Sequence, residues 1–122
     1  MDNMKKIMII DDAGFIRVLF REALKREGYE VITCENTYTA YKMIKESEPD
    51  LLLLDINLPG GSGIDLLKQL RNEGNNISVI MITAVSIKDT VIEASKYGIK
   101  SYLTKPVDIN ILKERISEAL EE

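Results

Sequence analysis

The sequence contains no histidine. This absence removes the most common general base and metal ligand, and it excludes Ser-His and Cys-His nucleophiles. There is one cysteine, Cys34, so no disulfide can form within the chain, which fits a reducing compartment. Any chemistry must therefore use carboxylates, hydroxyls, lysine or a hard metal ion.

Long apolar runs and clustered basic residues are also missing. No apolar segment approaches the roughly 20 residues that a membrane span needs, and residues 1–6 lack the apolar region of a signal peptide. The formal net charge is −4, with lysine and arginine scattered among acidic residues. We therefore expect a cytoplasmic protein whose partner is a protein or a small molecule, rather than a nucleic acid or a membrane.

The hydrophobic pattern alternates between short apolar runs and helical repeats. The 122 residues, 45% hydrophobic and 30% charged, are enough for one globular domain, and we see no linker within them. The apolar runs predict strands at residues 7–10, 31–33, 51–54, 79–82 and 101–103.

A helix signal follows each predicted strand. Gly28 predicts the end of the first helix, and the second helix is expected over residues 37–47. Ser86 and Asp89 form a capping-box pattern at the start of the fourth helix, and Asp108 is expected to cap the fifth. In the first helix, the predicted buried stripe is Ile16, Leu19, Phe20, Ala23 and Leu24.

Strict alternation of strands and helices predicts an α/β fold, a parallel sheet with helices on both faces. The first, third and fourth strands carry no charge and are expected at the centre of the sheet. The second and fifth are shorter or flanked by charged residues, so they suit the edges. The flavodoxin-like strand order 2-1-3-4-5 meets these conditions.

Aspartates follow two of the central strands. Asp11 and Asp12 come directly after the first strand, and Asp55 after the third. Strand order reverses between these two strands, where open α/β sheets form their sites, so the three carboxylates are expected to share one crevice. Because two unit charges about 4 Å apart repel by roughly 4 kcal/mol at an effective dielectric of about 20, we expect the cluster to be neutralised by a raised pKa or by an added cation. Oxygen-only ligands, with the nearby Asn57 carbonyl, favour Mg²⁺.

Two further polar residues are expected at the same edge of the sheet. Thr83 ends the fourth strand, and Lys105 follows the fifth. The lysine would help Mg²⁺ to balance the carboxylate charges, and the threonine hydroxyl could bond to a phosphoryl oxygen. Taken alone, each is an ordinary strand or surface residue, so its position on the sheet is what favours a function.

Short sequence segments accompany the predicted strand ends. They are Ile9-Ile10-Asp11-Asp12, Leu54-Asp55-Ile56-Asn57-Leu58-Pro59, Gly63, Thr83-Ala84, and Tyr102 ahead of Lys105-Pro106. Together, in this order and at these strand ends, they are more specific than any one segment. Over residues 5–120 the chain resembles the receiver domains of two-component response regulators.

The resemblance implies a single receiver domain over residues 1–122, with Asp55 as the phosphoacceptor. Asp55 would take a phosphoryl group from a phosphohistidine on a histidine kinase or a phosphotransfer protein. Mg²⁺, or Mn²⁺ in its place, would be bound by Asp12, Asp55 and the backbone carbonyl of Asn57. Asp11 would act on the ion largely through water.

In similar proteins the other motif residues respond to the phosphoryl group. Lys105 would pair with it, Thr83 would move toward it, and Tyr102 would turn into the vacated space. The Lys105-Pro106 bond would be cis. Asn57 and Val85 occupy positions that often influence the dephosphorylation rate in the family. The protein would then be a signalling switch that catalyses only its own phosphorylation and dephosphorylation.

Two protein-binding surfaces are expected. Phe15 and Val18 are apolar residues outside the predicted stripe of the first helix, and we hypothesise that they dock the kinase beside Asp55. Single exposed apolar residues are also ordinary. The surface around Tyr102 and the fourth and fifth helices is the expected output face for a downstream protein. We expect a monomer or a weak phosphorylation-dependent dimer, working through protein contacts or as part of a longer regulator.

Three other functions share parts of this pattern. A flavin or nucleotide module needs a Gly-, Ser- or Thr-rich phosphate loop after the first strand, where this chain has Asp11-Asp12. An aspartyl phosphohydrolase typically has Asp-x-Asp there instead of adjacent aspartates. A receiver-like docking module would not need the complete set of acidic, hydroxyl and lysine side chains.

Overall fold

The computed structural model describes residues 4–84 and 88–121. The strands in this part of the chain are β1 Lys6–Ile10, β2 Glu30–Cys34, β3 Leu51–Asp55, β4 Asn57–Leu58, β5 Gly61–Ser62, β6 Ser78–Thr83 and β7 Ser101–Thr104. The helices are α1 Gly14–Arg26, α2 Thr37–Ser47, α3 Gly63–Asn72, α4 Lys88–Ser95 and α5 Ile109–Glu121. None of these helices has the length and hydropathy that a membrane-spanning helix needs.

The five long strands form one parallel sheet in the order β2-β1-β3-β6-β7. This is the predicted order 2-1-3-4-5, because β4 and β5 form a separate antiparallel pair. β1, β3 and β6, which contain the uncharged apolar runs of the sequence, lie at the centre and are almost entirely buried. The predicted positions of the edge strands, β2 and β7, are also confirmed.

Side chains alternate between the two faces of the sheet, so there are two apolar cores. One face packs against α1 and α5, through Ile7, Ile9, Leu51, Leu53, Ile80 and Ile82 of the strands and Phe20, Leu24, Leu112 and Ile116 of the helices. The other face packs against α2, α3 and α4, through Met8, Ile10, Leu52, Leu54, Val79 and Met81 of the strands and Ala40, Ile44, Leu67, Leu70 and Ala94 of the helices.

Most of the predicted helix boundaries are confirmed. α2 has the predicted bounds, and Gly28 follows α1 with a φ of 95°, a left-handed conformation that suits glycine. Asp108 caps α5, since its Oδ1 accepts from the N–H groups of Asn110 at 2.8 Å and Ile111 at 3.2 Å. The predicted capping role of Ser86, like the predicted role of Val85, lies outside the described residues.

The predicted buried stripe of α1 was wrong at Leu19. Phe20, Ala23 and Leu24 are buried, whereas Leu19 is 40% exposed, beside Phe15 at 75% and Val18 at 50%. At 3.6 residues per turn, Leu19 points about 90° away from the centre of the buried stripe. It therefore joins Phe15 and Val18 in an exposed apolar patch, which we call the α1 patch.

Candidate functional site

Three aspartates meet at the carboxyl end of the central strands. β1 and β3 are paired with Ile10 opposite Leu54, so Asp11, directly after β1, lies next to Asp55, the last residue of β3. Asp11, Asp12 and Asp55 each offer a carboxylate oxygen, and these oxygens all lie within 4.8 Å of one another. Asp11 and Asp55 are buried, while Asp12 is exposed. The predicted convergence of the three carboxylates is confirmed.

Lys105 lies between the two buried carboxylates. Its Nζ is 2.7 Å from Oδ2 of Asp11 and 3.0 Å from Oδ2 of Asp55. Its backbone N–H donates to the carbonyl oxygen of Thr83 at 2.8 Å, which continues the β6–β7 pairing past the end of β7. The Lys105-Pro106 bond is cis, as predicted. The sequence predicted a lysine at this edge of the sheet, but it did not predict the contact with Asp11.

Burial and the neighbouring charges shift the pKa values of two residues in the site. Burial raises the pKa of Asp55, and the Asp11 carboxylate adds to the rise, while the hydrogen bond from Lys105 opposes it without cancelling it. For Lys105, burial lowers the pKa, but the hydrogen bonds to Asp11 and Asp55 outweigh burial and leave the pKa raised. Lys105 is therefore a cation at neutral pH, and it offsets only part of the negative charge beside it.

Backbone groups fix the two buried carboxylates. The N–H of Ala13 donates to Oδ1 of Asp11 at 2.9 Å, and the N–H of Asn57 donates to Oδ1 of Asp55 at 3.3 Å. Each of these side chains thus has one oxygen on a backbone N–H and the other on Lys105. Asp12 carries its carboxylate in an exposed position at the mouth of the site.

Gly63 allows the chain to return close to Asp55. Its N–H donates to the carbonyl oxygen of Ile56 at 2.7 Å, after the short β4–β5 hairpin. A Cβ atom at Gly63 would overlap the main-chain carbonyl oxygen of Asp55. The glycine in the sequence motif therefore has a steric reason, because any larger residue would displace the backbone that carries Asp55.

Thr83 and Tyr102 lie on neighbouring strands on one face of the sheet. Thr83 ends β6 and is fully buried. Tyr102 is paired in register with Met81 of β6, two residues before Thr83, and its side chain is partly buried against the core on that face. The two predicted switch residues are thus close in the fold, at the end of the sheet that carries Asp55 and Lys105.

The site's donor atoms fit a hard divalent cation. The three converging side chains offer only carboxylate oxygens, the ligands that Mg²⁺ prefers. Lys105 supplies one positive charge to a cluster of three aspartates, so the cluster retains a demand for further positive charge.

Comparison with known proteins identifies the family. The sequence model of the family described as "Response regulator receiver domain" matches residues 7–117. This chain is a member of that family. It is 34% identical to sporulation initiation phosphotransferase F of Bacillus subtilis over 116 residues, which cover 95% of this chain and 94% of that protein.

Two further comparisons extend this result. The receiver domain is 39% identical over 118 residues to the phosphate regulon transcriptional regulatory protein PhoB of Pseudomonas aeruginosa, covering 95% of this chain and 52% of that protein. It thus spans about half the length of that regulator. A crystal structure of a CheY-like response regulator receiver domain from Methanospirillum hungatei superimposes with a TM-score of 0.93 at 29% identity, covering 98% of this chain and 95% of the other.

Membership places this receiver domain in two-component signalling. Receiver domains are signalling switches that bind Mg²⁺ at an acidic pocket and interact with histidine kinases or phosphotransfer proteins. In this chain the acidic pocket corresponds to the cluster of Asp11, Asp12 and Asp55.

The sequence analysis missed one residue that contacts the acidic cluster. Nη1 of Arg17 donates to the carbonyl oxygen of Asp11 at 2.7 Å. A lone arginine on a helix gives no sign of its target, because the contact depends on how α1 leaves the loop after β1. The only available clue was its place six residues after Asp11, on the first turns of the helix that follows.

Proposed function

We propose that this receiver domain accepts a phosphoryl group on Asp55 from a phosphohistidine of a histidine kinase or phosphotransfer protein, in a Mg²⁺-dependent reaction. The observation that supports this most is the position of Asp55. It is a buried carboxylate bonded to Lys105, within reach of the oxygens of Asp11 and Asp12. The Asp55 carboxylate would attack phosphorus, the P–N bond would break, and the imidazole would leave.

The other carboxylates would hold the metal ion. Asp12 and Asp55 would bind Mg²⁺, or Mn²⁺ in its place, together with the Asn57 carbonyl, and Asp11 would act largely through water. The bound ion would supply positive charge to the carboxylates and to the phosphoryl oxygens. Lys105 would move its contact from the Asp55 carboxylate to the incoming phosphoryl group, which leaves its bond to Asp11 as an anchor.

The switch would follow from the position of the new charge. A phosphoryl group carries more negative charge than the carboxylate it replaces, and it carries it further from β3. The Thr83 hydroxyl and Lys105 would respond to it, and Tyr102 would turn toward the space that Thr83 leaves. The changed surface around Tyr102 would then bind a downstream protein.

The partner kinase would dock on the α1 patch. Its residues Phe15 and Val18 are exposed on α1, which begins at Gly14, two residues after Asp12. Leu19, wrongly predicted as buried, extends the same surface. A protein bound there would lie beside the mouth of the acidic cluster.

Further elements of the function are part of this proposal. We propose that residues 1–122 form a single receiver domain that is cytoplasmic, and that it is a monomer or a weak phosphorylation-dependent dimer. It would act on no external substrate beyond its own phosphorylation and dephosphorylation. With a net charge of −4 and scattered basic residues, it would bind neither nucleic acid nor membrane by itself.

Intact mass spectrometry tests the proposal. The wild-type protein and Asp55→Asn are incubated with Mg²⁺ and a small acyl phosphate, and Asp65→Asn serves as a matched control, because Asp65 is an exposed aspartate in the first turn of α3. We expect one added phosphoryl group on the wild type and on Asp65→Asn, none on Asp55→Asn, and none when Mg²⁺ is chelated. An adduct on Asp55→Asn, or none on the wild type, would contradict the proposal.

A further inference from the structure

Arg17 holds the loop that carries two of the three aspartates. Its Nη1 donates to the carbonyl oxygen of Asp11 at 2.7 Å, and its Nη2 lies 3.5 Å from Oε2 of Glu35. The Arg17 side chain is 22% exposed, whereas Glu35 is 66% exposed. We propose that Arg17 is a positioning residue that sets the geometry, and therefore the affinity, of the Mg²⁺ site. This inference rests on the proposed function of the acidic cluster.

The contact acts on the peptide group between Asp11 and Asp12. The N–H of Asp11 donates to the carbonyl oxygen of Cys34 at 3.0 Å, which ties the residue to β2. The carbonyl oxygen of Asp11 belongs to the next peptide plane, and Arg17 holds that plane. Since a peptide is planar, its orientation decides where the Asp12 backbone lies.

Asp12 depends on this backbone contact more than its neighbours do. The carboxylates of Asp11 and Asp55 are each held by a backbone N–H and by Lys105. Asp12 is exposed, so the direction of its carboxylate depends more on the conformation of the main chain than on packing of the side chain. Without Arg17, the peptide plane could rotate and the oxygens of Asp12 would spend less time near those of Asp55.

The effect is expected to come from geometry rather than from charge. Glu35 lies beside Arg17 and offsets its positive charge, so the pair adds little net charge to the acidic cluster. The planar guanidinium presents separate donors to Asp11 and to Glu35. A lysine has the same charge but only a single ammonium on a flexible stem, so it cannot hold both partners in this geometry.

Isothermal titration calorimetry with MgCl₂ tests the inference by measuring the Kd for Mg²⁺ of the wild type, Arg17→Met and Arg17→Lys. Arg21→Met is the matched control, because Arg21 is a partly buried arginine one turn further along α1. Partners that orient metal ligands typically contribute a factor of 10 to 100 in affinity, so we expect the Kd for Mg²⁺ to rise about tenfold in both Arg17 variants. We expect the control to keep the wild-type Kd, and circular dichroism to show native folding in all variants.

A kinetic measurement separates positioning from a role in the reaction itself. With a small acyl phosphate, the Mg²⁺ concentration for half-maximal phosphorylation should rise in step with the Kd. The rate at saturating Mg²⁺ should stay near the wild-type value, because Arg17 does not contact the phosphoryl group.

Several results would overturn the inference. One is a folded Arg17→Lys that binds Mg²⁺ with the wild-type Kd, and this result also decides the matter if Arg17→Met does not fold. Another is a phosphorylation rate of the Arg17 variants that stays low at saturating Mg²⁺. If the wild type binds Mg²⁺ but is not phosphorylated, the proposed function fails while the Kd values still judge Arg17. If the wild type binds no Mg²⁺, both fail.

Discussion

At the scale of single residues, the site is a place where negative charge is buried beside negative charge. Two carboxylates about 4 Å apart repel by roughly 4 kcal/mol at an effective dielectric of about 20. Lys105 contacts both Asp11 and Asp55 and relieves part of this repulsion. The raised pKa of Asp55 indicates that burial and the Asp11 charge outweigh that relief. The ionised Asp55 carboxylate therefore lowers the stability of the fold that contains it.

Asp55→Asn is expected to stabilise the protein in the absence of Mg²⁺. The pKa of Asp55 is higher in the folded protein than in the unfolded chain. The protonated carboxyl group therefore favours the folded state, fully at a pH below the unfolded pKa, and this stabilisation is lost as the pH rises through the folded pKa. At neutral pH the carboxylate is thus destabilising, and its neutral amide analogue should raise Tm by about 2–5 °C.

Thermal denaturation over a pH series measures this effect. The difference in Tm between Asp55→Asn and the wild type should shrink as the pH falls through the raised folded pKa toward about 4, the unfolded pKa, because the folded carboxyl group takes up a proton over this range. Asp65→Asn should change Tm little, because Asp65 is exposed. A lower Tm for Asp55→Asn at neutral pH would mean that the Lys105 contact outweighs burial.

The sequence predicted which carboxylates meet, but not how each is held. Asp11, Asp12 and Asp55 could be assigned to one crevice because each follows a central strand, and the structure confirms their convergence. The bond from Lys105 to Asp11 could not be predicted, because the position of the Lys105 ammonium depends on the positions of all the charged groups around it. The contact of Arg17 escaped prediction for a different reason, because it depends on how α1 leaves the loop after β1.

At the scale of helices and strands, the width of a buried helix face is set by its neighbours. The repeat in α1 predicted that Leu19 would be buried, yet the buried residues of α1 are Phe20, Ala23 and Leu24. Ile16, also in the predicted stripe, is partly buried against the same core. Leu19 consequently adds to the α1 patch with Phe15 and Val18. A contiguous apolar surface of this kind is typical of a protein-binding site.

Replacing the α1 patch should slow transfer from a protein donor and leave transfer from a small donor unchanged. We expect the triple variant Phe15→Ala, Val18→Ala and Leu19→Ala to reduce phosphotransfer from a phosphohistidine protein by about tenfold or more, since buried aromatic and aliphatic contacts carry much of the binding energy of an interface. Phosphorylation by an acyl phosphate needs no docking and serves as the internal comparison.

Ile111→Ala provides the matched control for the docking experiment. Ile111 is an exposed aliphatic residue on α5, at 43% exposure close to that of Leu19. Its replacement should leave both transfer rates unchanged. The docking role of the α1 patch is refuted if the triple variant receives phosphate from the protein donor at the wild-type rate, or if it is slowed equally with both donors.

Helix boundaries were more predictable than the loop after β3. The bounds of α2 and the Asp108 cap of α5 follow from local side-chain chemistry, and both are confirmed. The β4–β5 hairpin was not predicted, because its strands contain only two residues each. The pairing of Asn57 with Ser62 accompanies the return of the chain to Gly63.

At the scale of the whole molecule, the parallel sheet gathers distant parts of the sequence at one edge. Strand order and edge positions could be predicted from the distribution of charge among the strands. That order is sufficient to bring Asp11, Asp55, Thr83 and Lys105 to the same end of the sheet. The identity of the kinase and of the downstream protein could not be predicted, since recognition depends on surfaces that belong to two molecules.

The central claim is that Asp55 receives the phosphoryl group. Borohydride reduces an acyl phosphate to an alcohol, so a phosphorylated aspartate is found as homoserine in a peptide mass spectrum. After incubation with Mg²⁺ and a small acyl phosphate, reduction and proteolysis, we predict homoserine in place of Asp55 and at no other aspartate. Homoserine in place of Asp11 or Asp12, or an unchanged Asp55 in protein that has gained phosphoryl mass, would contradict the account.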